Sequence, residues 1–466
     1  MKLHNWIAGQ AAAPASGEYL DNIDPKTGEV CGQLPRSNAD DVDAAVAAAM
    51  KAPTLSVLER SELLNAVADA MSQRIPQLAE LEAMDSGKTL AATTAGDIPR
   101  AIDNLRYYAS AIRSMETACH QMEDGLNYTL RQPLGAVALI TPWNFPLHLF
   151  TWKVAPAIAM GNAVVAKPSE LTPSTATVCA EVFSEVGAPS GLLNVVHGLG
   201  QEAGSPLTTH PGIKAVSFTG GTVTGKAIAA AAAPLLKKVS LELGGKNPSL
   251  VFADCDLDEA AAGVARAAFF NTGQVCLCGS RLLVERSIAD EFVAKLQQQI
   301  DAGDWTPGET MGSLISWDHR EKVASYVELA KQEGGTIVCG GNRVGPPDGA
   351  FFQPTIITGL PIDCRVATEE IFGPVVTVHP FDSEDEAIAM ANHVEYGLAS
   401  SVWTTDLKKA HRCAARIESG MVWVNNWNKR DFRVPFGGMK QSGVGREGGR
   451  YSMEFFSQDR NVCIQL

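Results

Sequence analysis

The sequence predicts an α/β protein made of two successive parallel-sheet units, each with helices on both faces. Three observations carry this expectation. Short apolar runs alternate with helical patterns along most of the chain, the signature of strands buried on both faces. The rhythm resumes after Lys246, so a second unit follows the first. The 466 residues, 45% hydrophobic and 19% charged, suffice for about three structural units or two large ones and are too apolar for a disordered chain.

The elements follow in order. From Asp40, Val42, Ala45, Val46, Ala49 and Met50 keep helical spacing, with Ser37 offered as N-cap. A second helix is expected from about Ser61 to Ile75, with Leu64, Val67, Met71 and Ile75 on its buried face. Thr172-Pro173 opens a third and Gly187 closes it. Strands are expected at 136–140, 163–166, 192–196, 215–218 and 239–243. The Ala-rich run 227–233 reads as a buried helix. Beyond it, strands are expected at 282–284, 375–378, 399–403 and 421–424, and helices at 256–270, 288–300, 318–332 and 406–417. The alternating segment 124–132 reads as a hairpin strand, and 461–466 as a pairing strand.

Composition excludes several classes of function. Lys+Arg 38 against Asp+Glu 52 gives a net charge of −14 with no basic run, a surface that repels nucleic acid. The longest apolar stretch, 134–150, is broken by Pro142, Asn144, Pro146 and His148, short of the roughly 20 residues a membrane span needs. MKLHNWIAGQ lacks the core and cleavage site of a signal peptide. The ten cysteines are scattered, and Cys276-x-Cys278 lacks a second Cys or His pair, so no metal site is expected. The expectation is a cytoplasmic protein with reduced thiols.

Three residues attract attention for their surroundings. Cys276, in Asn271-Thr-Gly-Gln-Val-Cys276, stands among small polar residues, although a cysteine is ordinarily a small buried hydrophobe. Glu242 ends an apolar strand, where a carboxylate is seldom placed unless paired or functional. Asn144, in Thr141-Pro142-Trp143-Asn144-Phe145-Pro146, sits in a loop stiffened by two prolines; its amide suits either an oxyanion or a plain turn. Nucleotide signals are indirect. His197-Gly198-Leu-Gly200-Gln-Glu-Ala-Gly204 misplaces its third glycine for the dinucleotide fingerprint. In Phe218-Thr219-Gly220-Gly221-Thr222-Val223-Thr224-Gly225, a strand, a turn and a helix start could face a pyrophosphate. Lys167-Pro168-Ser169-Glu170 suits ribose hydroxyls or a solvated Lys–Glu pair.

Together these motifs resemble the aldehyde dehydrogenase superfamily over nearly the whole chain. PWNFP at 142–146, KPSE at 167–170, FTGGTVTG at 218–225, LELGGKNP at 241–248, NTGQVC at 271–276, EEIFGPV at 369–375 and PFGGMKQSGVGREGG at 435–449 occur in the family's order. The resemblance implies Cys276 as nucleophile, Asn144 with the Cys276 backbone N–H as oxyanion donors, and Glu242 as the base that activates water. It implies NAD as cofactor, held by Trp143, Lys167, Glu170, Gly200, Gly220, Gly221, Gly225, Glu370 and Phe372. An acidic Glu170 would repel a 2′-phosphate and favour NAD over NADP. Gly221 stands where many members carry Ser, and Cys278 is not required by the general mechanism. A non-catalytic scaffold would be expected to have lost Cys276, Glu242 or Asn144, and a coenzyme-A-acylating enzyme has no need of Glu242.

For the substrate, Asn426-Trp427-Asn-Lys-Arg430-Asp431-Phe432-Arg433 is similar to the muconic semialdehyde dehydrogenases of aromatic-ring degradation, as are GQVCLC at 273–278 and Leu126-Asn127-Tyr128-Thr129. That implies a carboxylated aldehyde held by Arg433 and Arg106. The departure at 427–429 keeps betaine aldehyde and aliphatic or succinic semialdehydes open. The implied architecture is a Rossmann-like cofactor domain from 1–118 and 138–245 and a catalytic domain from 246–447. An oligomerisation element from 119–137 and 448–466 implies a homodimer or homotetramer.

Overall fold

The computed structural model describes residues 1–466. Its first sheet has eight strands, and five form a parallel centre in the order Leu193–Val195, Ala163–Lys167, Ala136–Ile140, Ile213–Thr219, Lys238–Glu242. Chain order reverses between Ala136–Ile140 and Ile213–Thr219, and such a reversal opens a crevice at the carboxyl ends of the strands. Both faces are covered: Val137 and Leu139 join one core, Ala136, Ala138 and Ile140 the other, as the two-residue strand period requires.

The second sheet has seven strands, with Pro248–Val251 between Arg281–Glu285 and Ala399–Trp403. Only Leu243 to Asn247 separates it from the last parallel strand of the first sheet. The amino ends of Pro248–Val251 and Arg281–Glu285 therefore face the carboxyl ends of the first sheet. A third, antiparallel sheet pairs Ser457–Gln465 with Gly125–Pro133 along its full length, with Cys119–Gln121 outside.

The parallel centres are flanked by antiparallel strands: Asn5–Ile7, with Gln10–Ala12 outside it, and Gly443–Val444 in the first sheet, and Thr336–Cys339 at the edge of the second. Several local expectations need correction. The first helix, Ala39–Lys51, is capped by Asn38 with Asp41 in a capping box, while Ser37 is buried against Asn5. The second helix is two, Val57–Ser72 and Ile75–Ser86. The Ala-rich helix Thr222–Ala232 buries only Gly225, Ile228 and Ala232, and alanine is as good a surface helix former as a core one. Helix Gly449–Phe455, grouped with the hairpin from sequence, places Met453 in the core of the first sheet. No helix is long and apolar enough to cross a membrane.

Candidate active site

Strand ends of the first sheet carry most of the sequence-selected residues. After Ala136–Ile140 the chain turns through Trp143 and Asn144 into helix Pro146–Ala159, whose missing first N–H suits Pro146. The Leu147 N–H is held by both carboxylate oxygens of the buried Glu82, at 3.2 and 3.3 Å. Asn144 donates from Nδ2 to the Gln274 carbonyl at 3.0 Å, and its own carbonyl accepts from Asn271 Nδ2 at 3.1 Å. The loop is thereby fixed to the segment that bears Cys276.

That segment is sharply folded. Asn271, Thr272 and Gly273 all have positive φ, and a Cβ at Gly273 would strike the Gly373 carbonyl. Asn247 Nδ2 then holds the Cys276 and Cys278 carbonyls at 2.8 and 2.9 Å. Burial pushes the Cys276 thiol up to about 12; Arg430 is the main charge opposing this, while Glu242 and Glu370 add to it. Cys278 points away, its Sγ donating to the Ala268 carbonyl at 3.3 Å.

Glu242 ends its strand with both carboxylate oxygens buried and unpartnered. Burial raises its pKa well above the usual range, the Glu447 charge adds to the rise, and Lys153 and Arg446 oppose it. Glu447 is itself tied down: it pairs with Lys153 and accepts from Trp152 Nε1 at 2.8 Å and Ser217 Oγ at 3.1 Å. Sequence reasoning missed this buried pair, whose members lie far apart along the chain.

The expected cofactor residues divide between two places. Lys167 is buried and pairs with the part-exposed Glu170 at 3.1 Å, so the tetrad is not a solvated pair. Gly221 precedes a helix whose first turn has no side-chain cap, and a Cβ there would meet nothing. Gly220 packs on the Phe218 ring and Gly225 on Leu243, positions where a Cβ would collide. Thr219 Oγ1 and Thr222 Oγ1 lack partners beside this turn. Gly200 opens a wide helical turn that ends at Gly204, where a Cβ would meet the Lys167 side chain. Farther along the groove, Glu370 accepts the Gly245 N–H at 2.9 Å, and a Cβ at Gly244 would strike its carboxylate. Phe372, at φ +62°, meets the Trp143 ring edge-on at 5.3 Å.

The two arginines expected to hold substrate are elsewhere. Arg433 is 78% exposed, and its fork is filled by Asp431 through two bonds of 2.8 Å. Arg106 is 43% exposed and pairs with Asp69 at 2.8 Å. Both form exposed ion pairs in this structure. Nearer Cys276 stands Arg430, with Arg100 in reach of it, and neither has an ion-pair partner. Arg430 lies over the Phe436 ring at 4.9 Å, and burial brings it down to about 10, with the Arg100 charge adding to the fall. Arg100 lies over the Phe432 ring at 3.6 Å, and burial likewise lowers its pKa. Trp152, Trp427 and Phe436, with Phe145 and Phe270, wall this region against Cys276. Trp427 is an anchor, donating Nε1–H to the Leu277 carbonyl at 3.0 Å.

This arrangement has close counterparts. A family model described as the aldehyde dehydrogenase family matches residues 12–462. The 2-hydroxymuconic semialdehyde dehydrogenase of Pseudomonas sp. (strain CF600) is 46% identical, with 100% of each chain covered. The 2-aminomuconic 6-semialdehyde dehydrogenase of Pseudomonas sp. is 47% identical over 97% of this chain and 96% of its own. An NAD+ complex of an aldehyde dehydrogenase from Bacillus cereus superposes with a TM-score of 0.97 at 38% identity, covering 100% of this chain and 97% of its own. A match of such length, on a fold and groove of this form, means that the chain belongs to the aldehyde dehydrogenase family.

Proposed function

We propose that this protein oxidises an aldehyde bearing a carboxylate at its far end, a muconic-type semialdehyde, to the dicarboxylic acid with NAD. The observation that carries the substrate class is the unpaired couple Arg100 and Arg430 in an aromatic-walled groove beside Cys276. Half-buried cations with no ion-pair partner are costly, and a carboxylate offsets that cost through paired, charge-assisted hydrogen bonds. The names of the muconic semialdehyde dehydrogenases that the chain resembles support the same class.

In this reading the Cys276 sulfur adds to the aldehyde carbon and the thiol proton leaves to groove water. A thiol held near 12 is protonated at neutral pH, so Arg430 aids this step by favouring the thiolate. The oxyanion meets the second N–H of the Asn144 amide, not the one given to Gln274, and the Cys276 backbone N–H. NAD, when bound, supplies the hydride acceptor that turns this adduct into a thioester. Glu242 then takes a proton from water as it attacks the thioester, releasing the acid. Its oxygens have no other partner to surrender first.

The residues fit NAD. Gly220, Gly221 and the free first turn of Thr222–Ala232 offer N–H groups to phosphates. Lys167 and Glu170 suit the adenine ribose, and Glu370, Phe372 and Trp143 the nicotinamide end. The first sheet is then the cofactor unit and the second the catalytic one. The nine-residue strand Ser457–Gln465, exposed along most of its length, suits pairing between subunits.

The test is NADH formation over a panel of carboxylated and uncharged aldehydes, with Cys276→Ala alongside. Fast turnover of carboxylated semialdehydes by wild type and loss of roughly a thousandfold or more in the variant is expected. Turnover that persists in Cys276→Ala, or equal preference for uncharged aldehydes, would sink the proposal.

A further inference from the structure

His148 lies in the first turn of helix Pro146–Ala159, close after Asn144, and no step above uses it. It interrupts an apolar stretch of Leu147, Leu149 and Phe150 and keeps 8% of its surface exposed. Asn104 fixes where its proton sits. The Asn104 Nδ2 that donates to the His148 carbonyl and to Thr151 Oγ1, both at 2.9 Å, also lies 3.2 Å from the ring Nδ1. That atom must be nitrogen to serve the carbonyl, so an N–H on Nδ1 would oppose donor to donor. The proton therefore resides on Nε2, which has no partner in the protein.

The ring stands in the wall of the arginine groove. Its centroid is 6.1 Å from that of Trp152. Trp152 in turn lies 6.3 Å from Phe432 and 6.4 Å from Phe436, the rings that carry Arg100 and Arg430. Burial keeps the imidazole neutral, and the charges that act on it, Arg430, Arg100 and Lys88, are all positive and add to this. A neutral donor adds a hydrogen bond to this groove without adding to the repulsion between its cations.

We propose that His148 is a specificity-determining contact whose Nε2–H donates to a carboxylate oxygen of the substrate, beside Arg100 and Arg430. The proposal rests on the reading of the groove as a carboxylate site. A carboxylate offers about four acceptor positions, so two forks and a neutral donor can share it.

The experiment measures kcat and KM for adipic semialdehyde and for hexanal, a pair of equal chain length, in wild type, His148→Leu, His148→Gln and Arg430→Ala. The ratio of the two KM values, carboxylated over neutral, should rise about fivefold in His148→Leu, the size of one neutral hydrogen bond. It should return most of the way in His148→Gln, which keeps an N–H donor. An unchanged ratio in His148→Leu, or a Gln variant that behaves as Leu does, overturns the proposal. Arg430→Ala separates the two levels of inference. A selective loss there without one at His148 removes His148 and leaves the carboxylate reading standing; no selectivity in either variant removes both.

Discussion

Arg430 and Arg433 share one loop, and Arg100 and Arg106 share helix Ile98–Ala111, yet the members of each couple have opposite surroundings. Arg433 and Arg106 are exposed and have their carboxylates, Asp431 and Asp69. Arg430 and Arg100 lie against aromatic rings and have none. The same contrast separates Glu242, buried with two free oxygens, from surface carboxylates such as Glu384, paired with Arg412. An exposed ion pair contributes little and is easily lost. A buried charge with no partner has a cost that persists only where a ligand or a reaction uses it. The difference teaches that neither residue type nor position along an element marks the site; an unmet electrostatic demand does.

The comparison can be broken first at Glu242. Glu242→Gln should slow steady-state turnover roughly 10²–10⁴-fold, the range for losing a general base, while a first burst of NADH survives. Mass spectrometry should find the acyl group on Cys276, and unimpaired steady-state turnover would refute the assignment. The raised pKa fixes the sign of the pH dependence. Glu242 is protonated and idle below its raised pKa, so hydrolysis of the thioester should quicken as pH rises through it. Glu447→Gln removes the charge that adds to the rise and should move this limb to lower pH; a shift to higher pH would contradict the account.

A smaller effect is expected at the ribose end. Glu170→Gln should narrow the preference for NAD over NADP by about tenfold, the loss of one charge repulsion partly exposed to water. Steady-state kinetics with the two cofactors measures it, and a native preference for NADP would show the Lys167–Glu170 pair misread. The smallest effect belongs to the exposed couple. Arg106→Ala should cost less than about 1 kcal/mol of stability in chemical denaturation and leave the choice among aldehydes unchanged. A change in that choice would place Arg106 back at the substrate.

How much of this was legible in the sequence depended on how local the cause was. The strands around 136–140 and 399–403 stand where apolar runs predict them, because burial on both faces demands such runs; 421–424 also forms where predicted, as a half-buried edge strand. Cys276, Glu242 and Asn144 were visible as oddities of their neighbourhoods, and the fold brings their segments to one groove. Helix Pro146–Ala159 escaped notice because Pro146 and His148 read as breaks, although Pro146 occupies the one turn that tolerates it. The ion pairing of the arginines was hidden for a different reason. Asp431 adjoins Arg430 and precedes Arg433 by two, and its carboxylate can satisfy one guanidinium. It reaches forward, accepting both the Arg433 N–H and its side chain. An Asp followed two residues later by Arg at a turn was the available signal, since such a side chain bonds backbone two positions on. The Lys153–Glu447 pair offered no such signal, for only tertiary folding brings its members together.

The central claim is that Arg430, and not Arg433, receives the substrate's carboxylate. The direct measurement is kcat/KM for a carboxylated semialdehyde and an uncharged aldehyde of equal length in Arg430→Ala and Arg433→Ala. Arg430→Ala should lose about tenfold to 150-fold on the carboxylated substrate alone, the worth of a charge-assisted hydrogen-bond pair, and Arg433→Ala should lose almost nothing on either. A selective loss in Arg433→Ala, or equal losses on both aldehydes in Arg430→Ala, would contradict the account.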